Sequence, residues 1–316
     1  MSIVQLPLVT VITLTRNRDN LLPRAIKSVL NQSYKNIEYI IIDGASTDQT
    51  PKVVGSFNDP RIKYIKLESN LSHSLSYDLA FKNAQGEFIT FLDDDDEYLY
   101  EKIEKQQKLL SSLPKEYGFV YCWMDYYDEN KRCKVLECHP GQRGNIYYNQ
   151  IEKQSIAGTP TLFIRRDALL MVGGLRKELQ HASDWELVCR LARTYLVDYV
   201  PEVLVHVYVN HEYDRMSTFK MTDDKIISLI EFHEYFLVEF ADAFSIYPNK
   251  QIPHFSALSK LYLRTNNFRK SWNYFVKLLN QKPNPVFFIR TAGKLVTLFI
   301  QAIIVESRKI FMDAKA

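Results

Sequence analysis

Four consecutive aspartates, residues 93–96, are the stretch whose composition and spacing most directly indicate chemistry. They follow an apolar stretch, residues 87–92, that is typical of a buried strand. Adjacent carboxylates repel one another at neutral pH, so holding four together is costly unless a cation or strong donors neutralise them. Oxygen ligands of this kind suit Mg²⁺ or Mn²⁺. The charge pattern alone fits equally well a solvated acidic turn that caps the next helix.

The elements before this acidic run alternate between strand and helix patterns. Apolar, β-branched runs predict strands at residues 8–14, 37–42 and 61–67, each followed by a stretch with helical or capping signals. Such alternation predicts a mostly parallel α/β sheet flanked by helices, and ligands bind at the carboxyl edge of such sheets. Neither GxGxxG nor GxxxxGK[ST] follows the first strand, which argues against a dinucleotide-binding dehydrogenase and a P-loop NTPase.

The rest of the chain predicts two further regions. Residues 117–137 have the pattern of an antiparallel hairpin, and short strands are predicted at residues 196–200 and 203–209. From about residue 217 strand patterns disappear and helical patterns remain. We therefore expect a catalytic domain at residues 1–216, with halves at about 1–115 and 116–216, and an all-α extension at residues 217–316.

Composition narrows the class of protein. The 316 residues are 46% hydrophobic and 24% charged, with a formal net charge of +3, which is ordinary for a globular protein and gives no argument for nucleic acid. The four cysteines form no CxxC pair, so reduced thiols are favoured over a zinc site. The amino end lacks the pattern of a signal peptide, and no window reaches the roughly eighteen apolar residues of a membrane span. These features predict a cytoplasmic protein.

Five motifs occur together in one order: VITLTRN at 11–17, IIIDGASTDQT at 40–50, GEFITFLDDDD at 86–96, a glycine pair at 173–174 and ASDWEL at 182–187. Over residues 6–212 this sequence resembles the family 2 glycosyltransferases. The resemblance implies a GT-A fold, with a Rossmann-like nucleotide-binding half and an acceptor half. It also implies an inverting, metal-dependent transfer of a sugar from a nucleoside diphosphate donor, with a UDP-sugar favoured. The expected acceptor is a hydroxyl of a glycan or lipid-linked molecule in surface polysaccharide synthesis.

The resemblance assigns the donor-binding residues position by position. Thr15 and Arg16 lie where such enzymes meet the uracil and ribose, and Asp43 lies where a carboxylate reads the base. Asp93 matches the first acid of the DxD motif and takes a role at the ribose. Asp94, in the variable middle of the motif, belongs to the same donor-binding set.

The resemblance also assigns the metal and catalytic residues. Asp95 matches the second acid of DxD and is expected to bind Mn²⁺ or Mg²⁺, with His211 as a further candidate ligand. Arg215 is a candidate contact to the diphosphate. Asp184 matches the catalytic base that takes the proton of the acceptor hydroxyl. A helix-capping role is the simpler interpretation of Asp184, and the two roles are compatible.

Other functions stay open at this point. A sugar nucleotidyltransferase shares the sheet and the metal site, although no glycine-rich basic loop follows the first strand. A non-catalytic scaffold that binds nucleotide sugars is the other alternative. Where many relatives have Arg-Asn before the acidic strand, this sequence has Tyr77-Asp78. Residues 295–305 are apolar with basic flanks, so the segment 285–309 is either a peripheral contact at the inner membrane face or a core-packing helix.

Overall fold

The computed structural model describes residues 6–156, 158–211 and 221–281, and nine strands in these ranges form one sheet. They are β1 (Val9–Thr15), β2 (Ile37–Asp43), β3 (Ile62–Lys66), β4 (Phe88–Phe91), β5 (Glu97–Tyr98), β6 (Tyr117–Asp128), β7 (Cys133–Cys138), β8 (Phe163–Arg165) and β9 (Leu196–Val209). Their order across the sheet is β3-β2-β1-β4-β8-β6-β9-β5, and β7 pairs with β6.

Helices and strands alternate from β1 to β4, the order is mixed from β5 to β9, and the described elements after β9 are all helical. The helices are α1 (Leu22–Leu30), α2 (Thr50–Gly55), α3 (His73–Asn83), α4 (Lys102–Ser112), α5 (Tyr147–Gln150), α6 (Arg166–Met171), α7 (Ser183–Thr194), α8 (Asp223–Glu239), α9 (Ala241–Ile246), α10 (Ile252–Arg264) and α11 (Phe268–Asn280). Residues 1–150 and 154–215 form one compact unit, and residues 151–153 and 216–316 form a second.

Strand direction divides the sheet into two parts. Strands β3, β2, β1 and β4 are parallel to one another, as the alternating sequence pattern predicts. The short strand β8 is antiparallel to both β4 and β6. Strand β6 is parallel to β9. Because two antiparallel steps cancel, β4, β6 and β9 run in the same direction, and their carboxyl ends meet at one edge of the sheet.

Two predicted elements differ from the structure. Residues 196–200 and 203–209 form the single strand β9, because pairing with β6 continues on both sides of the exposed Pro201 and Glu202. Strands β6 and β9 differ in length at this point, and the difference appears as register shifts next to Trp123 rather than as a break in β9. In the helical region predicted after residue 217, one continuous helical pattern covers residues 223–244, but the structure interrupts it at Phe240, a buried residue between α8 and α9.

The second unit has its own apolar core. Helix α10 packs against α8 and α11 through buried side chains that include Leu258, Leu261 and Phe275. Within the residues that the structure describes, no helix has both the length and the apolar character to cross a membrane. The segment 285–309, for which a membrane contact is one expectation, lies outside the described residues.

Candidate active site

The acidic run lies where β4 ends at the carboxyl edge of the sheet. Three of its carboxylates, Asp93, Asp95 and Asp96, each offer an oxygen within 4.8 Å of the others. Asp95 and Asp96 are buried, and Asp93 is half-buried. The backbone N–H of Tyr208 in β9 donates to Asp96 Oδ1 over 3.1 Å. The run is therefore a folded cluster inside the protein, and the interpretation as a solvated acidic turn is wrong.

Positively charged groups from distant segments contact this cluster. Arg18 Nη1 lies 2.9 Å from Asp94 Oδ1 and 3.1 Å from Asp95 Oδ2. Arg24 Nη2 donates to the backbone oxygen of Asp95 over 2.6 Å. Burial raises the pKa of Asp94 to about 6, although the charge of Arg18 acts in the opposite direction. Part of the cost of burying these carboxylates is thus offset by the protein's own arginines.

His211, a candidate metal ligand, lies next to the cluster. Its Nε2 atom is 3.0 Å from Asp95 Oδ2, and its side chain is buried. Strand β9 brings it there, with Asn210 in the left-handed conformation (φ 61°) between the strand and the histidine. Arg215, the predicted contact to the diphosphate, lies outside the described residues.

The predicted base-binding residues lie at the neighbouring strand ends. Thr15 and Asp43 are paired across β1 and β2. Asp43 is fully buried, and its two oxygens accept hydrogen bonds from the backbone N–H of Ser46 (2.8 Å) and from the hydroxyl of Tyr64. Arg16 is exposed. The structure therefore brings Thr15 and Asp43 together, and their contact with a nucleotide stays a prediction.

Asp184 is the second residue of α7, and it does not cap the helix. The helix begins after Ala182, which is in the left-handed conformation (φ 55°) and makes no side-chain cap hydrogen bond. Asp184 Oδ1 accepts from the N–H of Trp185 over 2.8 Å, and Oδ2 accepts from Gln154 Nε2 over 3.3 Å. A Cβ atom placed on Gly158 would lie 3.9 Å from Asp184 Oδ2. The absence of a side chain at Gly158 therefore leaves space beside this oxygen.

A buried ion pair fixes the position of α7. Arg190 donates to Glu186 one helical turn earlier and, over 2.7 Å, to the backbone oxygen of Gly174. Gly173 and Gly174 both have positive φ, of 80° and 64°, a conformation that favours glycine. The glycine motif and α7 are thus joined by one guanidinium, and this connection holds the helix that carries Asp184.

Tyr77 in α3 packs edge-on against Phe91, two residues before the acidic run, with the ring centres 5.3 Å apart. Its side chain is buried, and burial raises the pKa of its hydroxyl well above the ordinary value. The charges of Asp93, Asp94 and Asp184 act on that pKa in the same direction. The position of Asp184 opposite the acidic run stays a prediction. Tyr77 appears in the sequence only as a departure from the usual Arg-Asn.

Comparison with known proteins gives the family. The profile described as Glycosyl transferase family 2 matches residues 10–177, just over half of the chain. The chain belongs to glycosyltransferase family 2. The membership confirms the resemblance drawn from the five motifs and identifies the enzyme class as a glycosyltransferase.

Two bacterial relatives of this family member have the same level of sequence identity to it. An uncharacterized glycosyltransferase of Rickettsia typhi is 31% identical over 208 residues, which cover 63% of this chain and 63% of the relative. A protein of Escherichia coli K12 named as a colanic acid biosynthesis glycosyl transferase, WcaA, is 31% identical over 213 residues, or 65% of this chain and 74% of the relative. The match with the Rickettsia protein thus leaves more than a third of that relative's length unmatched.

Solved structures share the fold of this family member. TarS residues 1–349 of S. aureus in complex with UDP-GlcNAc has a TM-score of 0.60 at 16% identity, covering 86% of this chain and 88% of that one. The mannosyltransferase PcManGT of Pyrobaculum calidifontis, in complex with GDP-Man and Mn²⁺, has a TM-score of 0.53 at 18% identity, covering 98% of this chain and 86% of that one. These likenesses confirm the predicted fold class.

Proposed function

We propose that this protein is an inverting, metal-dependent glycosyltransferase that uses a nucleoside diphosphate sugar. The observation that carries the proposal is the cluster of Asp93, Asp95 and Asp96, whose carboxylate oxygens lie within 4.8 Å of one another at the carboxyl edge of the sheet. A cluster that binds a diphosphate through a cation and a separate carboxylate that accepts a proton are the two parts that an inverting transfer requires.

The acidic cluster fits a divalent cation by its donor atoms. Three carboxylate oxygens lie within 4.8 Å of one another, and the imidazole of His211 lies next to Asp95. Hard oxygen donors with one imidazole suit Mg²⁺ or Mn²⁺. Asp93, Asp95 and Asp96 would hold the ion, with His211 as an additional ligand. When bound, such an ion supplies Lewis-acid stabilisation of the negative charge on the departing diphosphate.

Asp184 is proposed to act as the general base. Inversion needs one carboxylate on the face of the sugar opposite the leaving group, where it takes the proton of the attacking hydroxyl. Both oxygens of Asp184 are held by hydrogen bonds, from Trp185 and Gln154, so the carboxylate has a fixed direction. Release of Gln154 would free Oδ2 for the acceptor hydroxyl. The small Gly158 beside that oxygen leaves room for the incoming group.

The donor and acceptor follow from the site and from the relatives together. Thr15, Arg16 and Asp43 are proposed to bind the nucleoside at the ends of β1 and β2. A UDP-sugar is favoured because the buried carboxylate of Asp43 can accept the N3–H of uracil. The solved neighbours hold either UDP-GlcNAc or GDP-Man. The similarity to WcaA supports a glycan or lipid-linked acceptor in surface polysaccharide synthesis.

The test is Asp184→Asn, with Asp167→Asn as the matched control. Asp167 also lies in the first turn of a helix and accepts from the next backbone N–H over 2.8 Å, as Asp184 does. Asp184→Asn is expected to lower the rate of transfer or donor hydrolysis about 100- to 10,000-fold while donor affinity in calorimetry is unchanged. Asp167→Asn should keep the wild-type rate. A rate that survives Asp184→Asn would favour a role for the aspartate in structure only.

A donor screen tests the rest of the proposal. UDP-sugars and GDP-sugars are titrated by calorimetry with and without Mn²⁺. We expect a UDP-sugar to bind, and to bind more tightly with the ion. Equal affinity without the ion would refute the role of Asp95, and binding of GDP-sugars alone would refute the role given to Asp43.

A further inference from the structure

Arg18 makes an ion pair directly with the acidic run. One nitrogen, Nη1, lies 2.9 Å from Asp94 Oδ1 and 3.1 Å from Asp95 Oδ2. The side chain of Arg18 is 19% exposed, and those of the two aspartates are 7% and 4% exposed. This is therefore a largely buried contact in which solvent screening is weak.

The same carboxylate is also part of the candidate metal site. Asp95 belongs to the cluster of three carboxylates, and its Oδ2 atom is the one that faces both Arg18 and His211. A divalent ion on this carboxylate would lie next to the positive charge of Arg18. Even at the dielectric constant of water, a divalent and a monovalent cation about 5 Å apart repel each other enough to weaken binding roughly tenfold.

The backbone of Arg18 is fixed, so a change of partner has to be made by its side chain. The carbonyl of Arg18 accepts from the N–H groups of Leu21 and Leu22 where α1 begins, both over 3.1 Å. The preceding Asn17 is held by Ser46, whose hydroxyl accepts the Asn17 N–H over 2.9 Å. The backbone of Arg18 can therefore stay at the strand edge while its long side chain rotates about its own bonds and moves away from Asp95.

We propose that Arg18 competes with the divalent cation for Asp95 and gives up this contact when the donor diphosphate arrives. This inference rests on the metal-dependent function proposed above. Before binding, Arg18 offsets the repulsion between Asp94 and Asp95. The diphosphate then supplies new negative charge for the guanidinium, so that metal and nucleotide bind cooperatively. Arg18 is in this role a positioning residue, since it acts on the metal site through Asp95.

The test measures Mn²⁺ affinity by electron paramagnetic resonance, without nucleotide and with UDP or GDP. Arg18→Gln is compared with Arg18→Lys, which keeps the charge, and with Lys27→Gln, which removes the charge of an exposed side chain on the adjoining helix α1. Without nucleotide, Arg18→Gln should bind Mn²⁺ roughly tenfold more tightly than the wild type. Arg18→Lys and Lys27→Gln should stay close to the wild type. The gain in Mn²⁺ affinity on adding nucleotide should be larger in the wild type than in Arg18→Gln.

Three results would overturn the inference. Equal or weaker Mn²⁺ binding by Arg18→Gln would show that the arginine does not compete with the ion. Equal tightening in Lys27→Gln would show that any nearby positive charge has this effect. If Arg18→Gln does not fold, Arg18→Met replaces it: tighter Mn²⁺ binding than in the wild type would support the competition, and equal or weaker binding would refute it. Absence of Mn²⁺ binding by the wild type with either nucleotide would instead refute the metal-dependent function itself.

Discussion

Lys102, a fully buried lysine at the start of α4, makes the stability of the catalytic unit depend on pH. Its Nζ atom donates to the hydroxyl of Thr90 in β4 over 2.8 Å and lies 3.9 Å from the centre of the Tyr98 ring. Burial lowers the pKa of this amine from 10.5 to about 7. The unfolded chain therefore binds a proton between these two pH values that the folded protein does not.

The direction and size of the effect follow from this difference. Because the folded pKa is lowered, the free energy of unfolding rises with pH between about 7 and 10.5 and is lower on the acidic side. For one group with these two pKa values, raising the pH from 7 to 9 should increase the free energy of unfolding by about 2 kcal/mol. Lys102→Met fills a similar volume and cannot titrate, so this increase should be absent from the variant.

Chemical denaturation of each protein at pH 7, 8 and 9, followed by tryptophan fluorescence, measures this difference. Lys105→Met is the matched control, because Lys105 lies on the same helix but pairs with Glu202 at the surface. The control should keep the wild-type increase between pH 7 and 9, and Lys102→Met should lose it. An equal increase in Lys102→Met and the wild type would refute the account of Lys102 as a buried amine with a lowered pKa.

Three further predictions concern the site and the helical unit. Gly158→Leu should abolish sugar transfer but not donor binding in calorimetry, since carbons beyond Cβ would meet Asp184, whereas Gly158→Ala should be tolerated; loss of donor binding would contradict this. Arg190→Met should lower the free energy of unfolding by about 3–5 kcal/mol in denaturant titrations, because it removes the guanidinium that donates to both oxygens of the buried Glu186. Burial lowers the pKa of His233 to about 3 and of His254 to about 4, so acid should destabilise the second unit progressively below pH 6.5. Hydrogen exchange of residues 223–281 measures this, and equal protection at pH 7 and 4.5 would refute it.

The elements of the first unit could be predicted largely from local patterns. Apolar β-branched runs such as β1 and β2 have one stable place, the buried middle of a parallel sheet, and the acidic run follows from the strand before it. The family resemblance predicts His211 as a metal ligand; its Nε2 atom lies 3.0 Å from Asp95 Oδ2, and the binding of a metal by His211 stays a prediction. The sequence also predicts the helix that carries Asp184, and α7 begins at Ser183, earlier than a cap at Asp184 would place it and directly after the left-handed Ala182.

The charge partners at the site could not be predicted from local patterns. Arg18 stands within a run of polar residues, 15–20, and only the fold shows that its guanidinium lies against Asp94, 76 positions away. The same holds for Tyr77, whose importance depends on carboxylates from two distant segments. Periodicity reports which face of an element is buried, and it contains no information about which charge is neutralised by which.

The acidic run is held in place by the elements on both sides of it. Arg24 of α1 donates to the backbone of Asp95, and its guanidinium lies 3.7 Å from the centre of the Tyr208 ring in β9. The N–H of Tyr208 in turn donates to Asp96. These contacts use the backbone oxygen of Asp95 and one carboxylate oxygen of Asp96, and the carboxylate of Asp95 faces Arg18 and His211 instead. The contacts that hold the loop therefore do not use the carboxylate for which Arg18 is proposed to compete, so the side chain of Arg18 could change partner without movement of the loop.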